Sequence, residues 1–306
     1  MPRALVWFRR DLRLTDNPAL NAALERGYKP IPVFVHAPEE EAPWSPGAAS
    51  LAWLHRSLAA LDADLHRLGS RLVIRAGDSF TEIEKIVLET GAEAVFWNHL
   101  YEPSVIARDQ RVKTTLKSCG LRVESFNGAL LVEPWDISTS SGEPYRVFTP
   151  FWKNATRSIE SVTATPAPSQ LPPVPDTLVS LALDSLGLSP PTRWDEGFWQ
   201  HWQPGEAGAC ELLEAFVEGA ANGYKEQRNF PDRIGTSKLS PHLHFGEISP
   251  QQIVARLRRE PWPARVAPDV ENFLSELGWR EFSHHLLFHF PHTANRNLNP
   301  RFQEFR

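Results

Sequence analysis

Short apolar runs recur at regular intervals through the first 130 residues, at positions 4–8, 32–35, 72–74, 94–97 and 123–126. Most are continuous blocks with no polar alternation, the pattern of strands buried on both faces of a parallel sheet. Between the second and third runs, Leu51, Leu54, Leu58, Leu61, Leu65 and Leu68 follow three- and four-residue steps. That spacing predicts an amphipathic helix, stopped by Gly69. Asn17-Pro18 supplies an N-cap and a first-turn proline for an earlier helix. The strand–helix alternation predicts an α/β fold: a doubly wound parallel sheet over residues 1–130 with right-handed crossovers.

The pattern then changes. Ser138-Thr139-Ser140-Ser141-Gly142 is turn-rich and residues 163–175 are dense in proline, so 131–195 is expected to be an interdomain linker. From 196 to 306 the periodicity is helical, strongest at 208–221, 250–260 and 268–290. This region is expected to be an all-α domain. No internal repeat is visible.

A doubly wound sheet invites a dinucleotide site, so its first strand–helix loop is diagnostic. Here the loop runs Phe8-Arg9-Arg10-Asp11-Leu12-Arg13-Leu14-Thr15-Asp16 and contains no glycine. Close backbone approach to a pyrophosphate needs glycines in that loop, and neither the G-x-G-x-x-G nor the Walker pattern occurs in the chain. Arg9, Arg10, Asp11, Asn98, Tyr101 and Glu102 follow strand ends and line a candidate crevice. They serve equally well as ion pairs that close loops.

Composition refines this picture at three points. No apolar run reaches the roughly 20 residues needed to span a bilayer, and the N-terminus reads as a strand, so a cytoplasmic protein is expected. Only Cys119 and Cys210 occur, too few for a disulfide framework. The net charge of −5 is uneven: from Tyr224 onward 12 Lys and Arg face 9 Asp and Glu, against 20 and 28 in the remainder. A basic C-terminal segment suits phosphate ligands within an acidic protein. Eleven tryptophans suit stacking sites.

The chemistry concentrates in two stretches of that segment. Thr236-Ser237-Lys238-Leu239-Ser240-Pro241 combines hydroxyls, a cation and an expected helix start with Ser240 as N-cap. The same pattern is also that of a plain capped loop. Further on, Phe273, Leu277, Phe282 and Leu286 form a stripe to bury, while Glu276, Trp279, Arg280 and Ser283 fall at i, i+3, i+4 and i+7 on another face. An acid, an indole and a guanidinium on one face fit a nucleobase with its phosphate. The plainer alternative is a Glu276–Arg280 helix pair beside a core tryptophan. His242, His244, His284 and His285 lack a carboxylate–histidine signature, and no metal site is expected.

Taken in order, these stretches resemble the DNA photolyase/cryptochrome family. The resemblance rests on Val6 to Asn17 (Val-Trp-Phe-Arg-Arg-Asp-Leu-Arg-Leu-Thr-Asp-Asn), Tyr101-Glu102, Arg108-Asp109, Phe148-Thr149-Pro150-Phe151, the 236–241 stretch and Trp279-Arg280-Glu281-Phe282. It covers nearly the whole chain and is most similar to bacterial members that act on cyclobutane pyrimidine dimers. The resemblance implies an antenna domain over 1–130, a linker over 131–195 and the N-terminal part of a helical FAD-binding domain over 196–306. It implies a blue-light-driven, FAD-dependent carbon–carbon lyase repairing pyrimidine dimers in DNA, or alternatively a cryptochrome-type light receptor without repair. A third alternative is a remnant in which only the first domain binds a chromophore. FAD would be held by Tyr224, Thr236, Ser237, Lys238, Leu239, Ser240, Phe273, Glu276 and Arg280. Arg228, Glu276, Trp279 and Ser283 would contact DNA, with Glu276 and Trp279 at the lesion. A monomer is implied.

Three departures from the family pattern qualify those implications. Val105 stands where folate-binding relatives often carry glutamate, which counts against folate; a methenyltetrahydrofolate antenna is nonetheless the expectation, with deazaflavin or no antenna as alternatives. Lys238 replaces the more usual arginine, losing bidentate reach while keeping the charge. The chain ends before the family's Gly-Tyr-Pro-x-Val-Asp-Ala and Met-His-Asn-Arg stretches, leaving the helical domain incomplete. Weak or no FAD binding by these 306 residues alone is therefore expected, and dimer versus (6-4) photoproduct chemistry stays open.

Overall fold

The computed structural model describes residues 1–160 and 162–304. Five parallel strands, β1 (Arg3–Phe8), β2 (Lys29–His36), β3 (Val73–Ala76), β4 (Ala94–Asn98) and β5 (Arg122–Phe126), form one sheet in the order β3-β2-β1-β4-β5. Side chains alternate across the sheet. Ala4, Val6 and Phe8 of β1 join one core, with Leu20 of α1 (Pro18–Glu25) and Leu58, Leu61 and Leu65 of α2 (Ala48–Arg67). Leu5 and Trp7 join the other, with Ile83 and Ile86 of α3 (Ser79–Thr90) and Val112 and Leu116 of α4 (Pro103–Ser118). Both faces are covered, which is why the strands read as unbroken apolar runs.

The local signals explain most boundaries. Asn17 caps α1 by accepting from Leu20 N at 3.2 Å. Strand β2 begins three residues before the predicted 32–35 because it tolerates Pro30 and Pro32. Its pairing to β3 starts only at Val33, so the two prolines face no neighbour on that side that needs their missing N–H.

The stretch expected to be linker holds a further helix, α5 (Phe148–Ile159). Phe151, Ala155 and Ile159 recur every four residues and are fully buried, with Phe151 against Phe282. Pro150 falls in the first turn, where a missing N–H costs nothing.

The helical half follows: α6 (Glu206–Ala215), a π-helical turn at Phe216–Ala220, α7 (Tyr224–Gln227), α8 (Ser240–Phe245), α9 (Pro250–Arg259) and α10 (Ala267–His289). Phe216, Tyr224, Phe273, Leu274 and Leu277 centre its core. Ser240 is not an N-cap, contrary to the sequence expectation. It is the first residue of α8, Leu239 occupies the cap position with helical φ and ψ, and no side chain caps the turn. Lys238, at φ 56°, makes the reversal into α8 instead.

The halves are joined by the glycine-free loop after β1. Leu12 N donates to Phe245 O at 3.1 Å, and Leu14 N to Glu206 Oε2 at 2.7 Å. The buried Arg13 guanidinium donates to the carbonyls of Asp16, Gly128 and Gly246 at 2.6, 2.8 and 3.0 Å. A Cβ at Gly246, whose φ is 66°, would collide with the backbone of Arg10 and Asp11. Nearby, the fully buried Glu247 carboxylate faces His242 Nδ1 and accepts from Ser57 Oγ, Trp53 Nε1 and Gly205 N.

Removing Glu247 leaves His242 Nδ1, Trp53 Nε1 and Gly205 N buried and unpaired, while Ser57 Oγ keeps its bond to Trp53 O. Glu247→Ala is expected to destabilise the chain by about 3–5 kcal/mol. Glu214→Ala, which breaks only the surface pair with Arg256, should cost less than about 1 kcal/mol. Urea denaturation midpoints of the two variants check the contrast.

Candidate functional site

A cavity of about 390 Å³ opens between the halves. Tyr224, Ser237, Leu239, Ser240, Phe273, Glu276 and Arg280 line its helical side, and Arg10, Leu100, Tyr101, Glu102 and Ala129 the other. The 236–240 loop reaches it because Gly235 passes close over α7, where a Cβ would lie 2.5 Å from the Gln227 carbonyl group. Tyr224 and Phe216 meet edge-on at 5.6 Å, Tyr224 and Phe273 at 5.2 Å, which gives the cavity a rigid aromatic floor.

Helix α10 provides the charged wall. Glu276 and Arg280 lie one turn apart and both face the cavity, but they do not pair with each other. Glu276 is paired with Arg228, just beyond α7, whose guanidinium also lies 5.3 Å from the Tyr224 ring centre. Arg280 Nη1 donates to Ala129 O at 2.8 Å and to Glu281 Oε1 at 3.1 Å. Glu281 is buried and accepts from Leu131 N at 2.7 Å, so one carboxylate orients both the arginine and the loop after β5. Burial raises its pKa to about 7. Burial and the Arg280 charge lower His284 to about 4, so its ring is neutral at pH 7.

The other expected residues lie outside the cavity lining. Thr236 and Lys238 are exposed on the loop behind Ser237. Trp279 is 47% exposed, outside the cavity, and stacks on Phe148 with ring centres 3.8 Å apart and planes 11° from parallel. Ser283 Oγ donates back to Trp279 O at 2.8 Å. Around the α10 axis Trp279 lies about 60° from Glu276 and about 100° from Arg280, which turns the indole toward α5 and the Phe148 ring instead of into the cavity.

The crevice residues of the first domain divide into two sets. Asn98 Nδ2 donates to Asp11 Oδ2 at 2.6 Å and to Asn17 Oδ1 at 2.9 Å, closing the turn as a structural network. Arg9 and Arg10 line a second cavity of about 320 Å³ beyond the ends of β1 and β2, with Trp7, His36, Trp44 and Arg108. The Arg9 and Arg108 guanidinium groups lie 4.5 and 4.9 Å from the Trp7 ring centre. Val105 is buried in α4 and lines neither cavity. Arg10, Leu100 and His244 line both. Arg10 pairs with Glu102 at 2.7 Å. Burial pushes the Glu102 pKa up, and the Arg10 charge more than offsets it, leaving it below the ordinary value.

Sequence reasoning missed Glu281, His284 and His244 as parts of this site. For Glu281 a signal existed: it falls four residues after Leu277 on the stripe that must be buried, where a carboxylate requires partners.

A parallel α/β sheet with its helices is locked through its first loop to a helical region, with one cavity between them and another at the strand ends. The DNA photolyase family model matches residues 4–172. The deoxyribodipyrimidine photo-lyase of Agrobacterium fabrum is 42% identical over 98% of this chain and 62% of its own length. Cryptochrome-1 of Arabidopsis thaliana is 37% identical over 96% of this chain and 44% of its own. A bacterial class III photolyase structure from Agrobacterium tumefaciens superposes with a TM-score of 0.92 at 41% identity, covering all of this chain and 63% of that one. The chain belongs to the DNA photolyase family, and it spans less than two thirds of the length of these relatives.

The Glu281 carboxyl has a distinct pH signature. Between its ordinary 4.5 and about 7, the folded chain keeps a proton that the unfolded chain releases. Its contribution to stability therefore falls as pH rises through that window and is level above it. His284 and His285, lowered to about 4, tilt the total the other way. The difference between wild type and Glu281→Gln isolates the carboxyl: relative to the variant, the wild type should lose stability across the window, as read from urea midpoints.

Proposed function

We propose that this chain provides the antenna domain and one wall of the FAD site of a blue-light-driven deoxyribodipyrimidine photolyase, which splits cyclobutane pyrimidine dimers in DNA. The observation that carries the reading is the convergence of Tyr224, Ser237, Ser240, Phe273, Glu276 and Arg280 on one cavity. Aromatic and aliphatic walls, two hydroxyls and an oriented guanidinium match a flat ring system that bears phosphate. Bound FAD supplies light-driven one-electron chemistry that no side chain provides.

The chain's own residues bind and orient. Ser237 and Ser240 hold phosphate oxygens, with Thr236 and Lys238 supporting the loop from outside. Leu239, Phe273 and Tyr224 exclude water from the floor. Arg280, fixed by Glu281 and Ala129 O, keeps a positive charge beside an anionic ring. At the rim, Arg228 contacts DNA phosphate. Trp279 offers its indole to an extruded pyrimidine dimer, Glu276 accepts a hydrogen bond from it, and Ser283 lies alongside. The second cavity takes an antenna chromophore, methenyltetrahydrofolate in the first instance and a deazaflavin in the second. Its buried tryptophan and arginines suit a flat anionic ring. The protein works as a cytoplasmic monomer.

Two measurements test this. Arg280→Ala should weaken FAD binding about tenfold or more, the loss of a hydrogen bond from a charged group, in a flavin titration. In blue light, at an FAD concentration high enough to offset the weak binding expected of one wall of the site, the protein should restore dimer-bearing oligonucleotides, and Trp279→Ala should abolish most of that repair. Bound flavin with no light-dependent repair would instead assign the chain to the cryptochrome-type receptors.

A further inference from the structure

We propose that Phe148 of α5 is a positioning residue for lesion recognition: it holds the Trp279 indole as a preformed stacking surface, and discrimination of damaged from undamaged DNA depends on its ring. The inference rests on the reading of Trp279 as the surface that meets the extruded bases.

A half-exposed tryptophan on a helix surface has several rotamers open to it, and a base that stacks on it must first select one. In this chain that selection is made in advance. The Phe148 ring lies flat on one face of the indole, 3.8 Å between centres and 11° from parallel. The edge of Trp279 meets Phe282 at 6.0 Å and 71°. One face is covered, one edge is braced, and the remaining face of a 47% exposed side chain is left for a ligand.

Phe148 is itself fixed from below. It lies 10° from parallel to Trp152, one turn along α5, with centres 6.3 Å apart. Trp152 in turn rests directly on Gly278: a Cβ there would stand 2.5 Å from Trp152 Cε3 and 2.7 Å from Cδ2. Gly278 immediately precedes Trp279 in α10. The chain thus builds a closed circuit from α10 through Trp152 and Phe148 back to the indole, with no flexible side chain in it. Two aromatic rings placed one turn apart hold the exposed ring in one orientation, so that little conformational entropy remains to be lost when a base arrives.

Dark binding of an oligonucleotide with one central thymine cyclobutane dimer, compared with its undamaged twin by fluorescence anisotropy, tests the proposal. Phe148→Leu keeps an apolar side chain but removes the stack. It should lower affinity for the dimer about tenfold, the worth of one stacked base. Affinity for the undamaged twin, carried by phosphate contacts, should stay within about twofold of wild type. Phe148→Tyr should retain dimer affinity, and Gly278→Ala, which dislodges Trp152, should reproduce part of the loss. If Phe148→Leu binds the dimer like wild type while Trp279→Ala does not, the stack is only packing and the proposal fails. An equal loss on both DNAs in Phe148→Leu signals general damage to the fold and likewise overturns it. If Trp279→Ala leaves dimer affinity unchanged, the underlying reading of the indole fails, and the proposal with it.

Discussion

The nine-residue loop after β1 joins the two halves of the molecule with its own backbone. In doubly wound nucleotide-binding folds, the N–H groups at this position face a pyrophosphate. Here Leu12 N is held by Phe245 O, and Leu14 N and Thr15 N by the Glu206 carboxylate. Arg13 lies among three carbonyls with almost no solvent contact, and burial lowers its pKa. A cation in that setting is tolerable only while every carbonyl stays in place, so the loop, the end of β5 and the start of the helical core are held as one unit. The crevice at the strand ends thereby becomes an interdomain space, and both cavities lie along it.

The electrostatics of the cavity between the halves follow from that closure. The two carboxylates that line it are each matched to an arginine from another element, Glu276 to Arg228 and Glu102 to Arg10, while Arg280 is held from behind the lining by the buried Glu281. His284, neutral through burial, adds no charge. The lining is therefore balanced without a ligand and offers hydroxyls and guanidinium donors to an incoming anion. The Glu276–Arg228 pair is only partly buried, so both partners remain reachable from solvent.

Much of the fold was legible because burial on two faces leaves unmistakable apolar blocks, and the leucine ladder of α2 admits no other reading. The absence of glycine after β1 was legible too, and its structural counterpart is the engagement of that loop by Phe245 and Glu206. Helix α5 was obscured by its neighbours: Phe148, Phe151, Trp152, Ala155 and Ile159 carry helical spacing, yet they sit between a serine-rich turn and a proline-dense segment. At the site, local spacing placed Glu276 and Arg280 on one face. It could not supply partners from far along the chain, such as Arg228 for Glu276 or Ala129 O for Arg280. The second cavity draws on residues between His36 and Leu54, where β2 leads into α2 without a motif of its own. Such sites are tertiary products, and a linear reading sees only their fragments.

Arg10, Leu100 and His244 stand as a partition one side chain thick, with a cavity on either side. Two occupants would be next-door neighbours, each touching the same guanidinium and the same imidazole. A substitution at any of the three alters two sites at once. The partition thus sets which changes are private and which are shared: the remaining lining residues alter one site alone, and only these three bind the history of one site to that of the other.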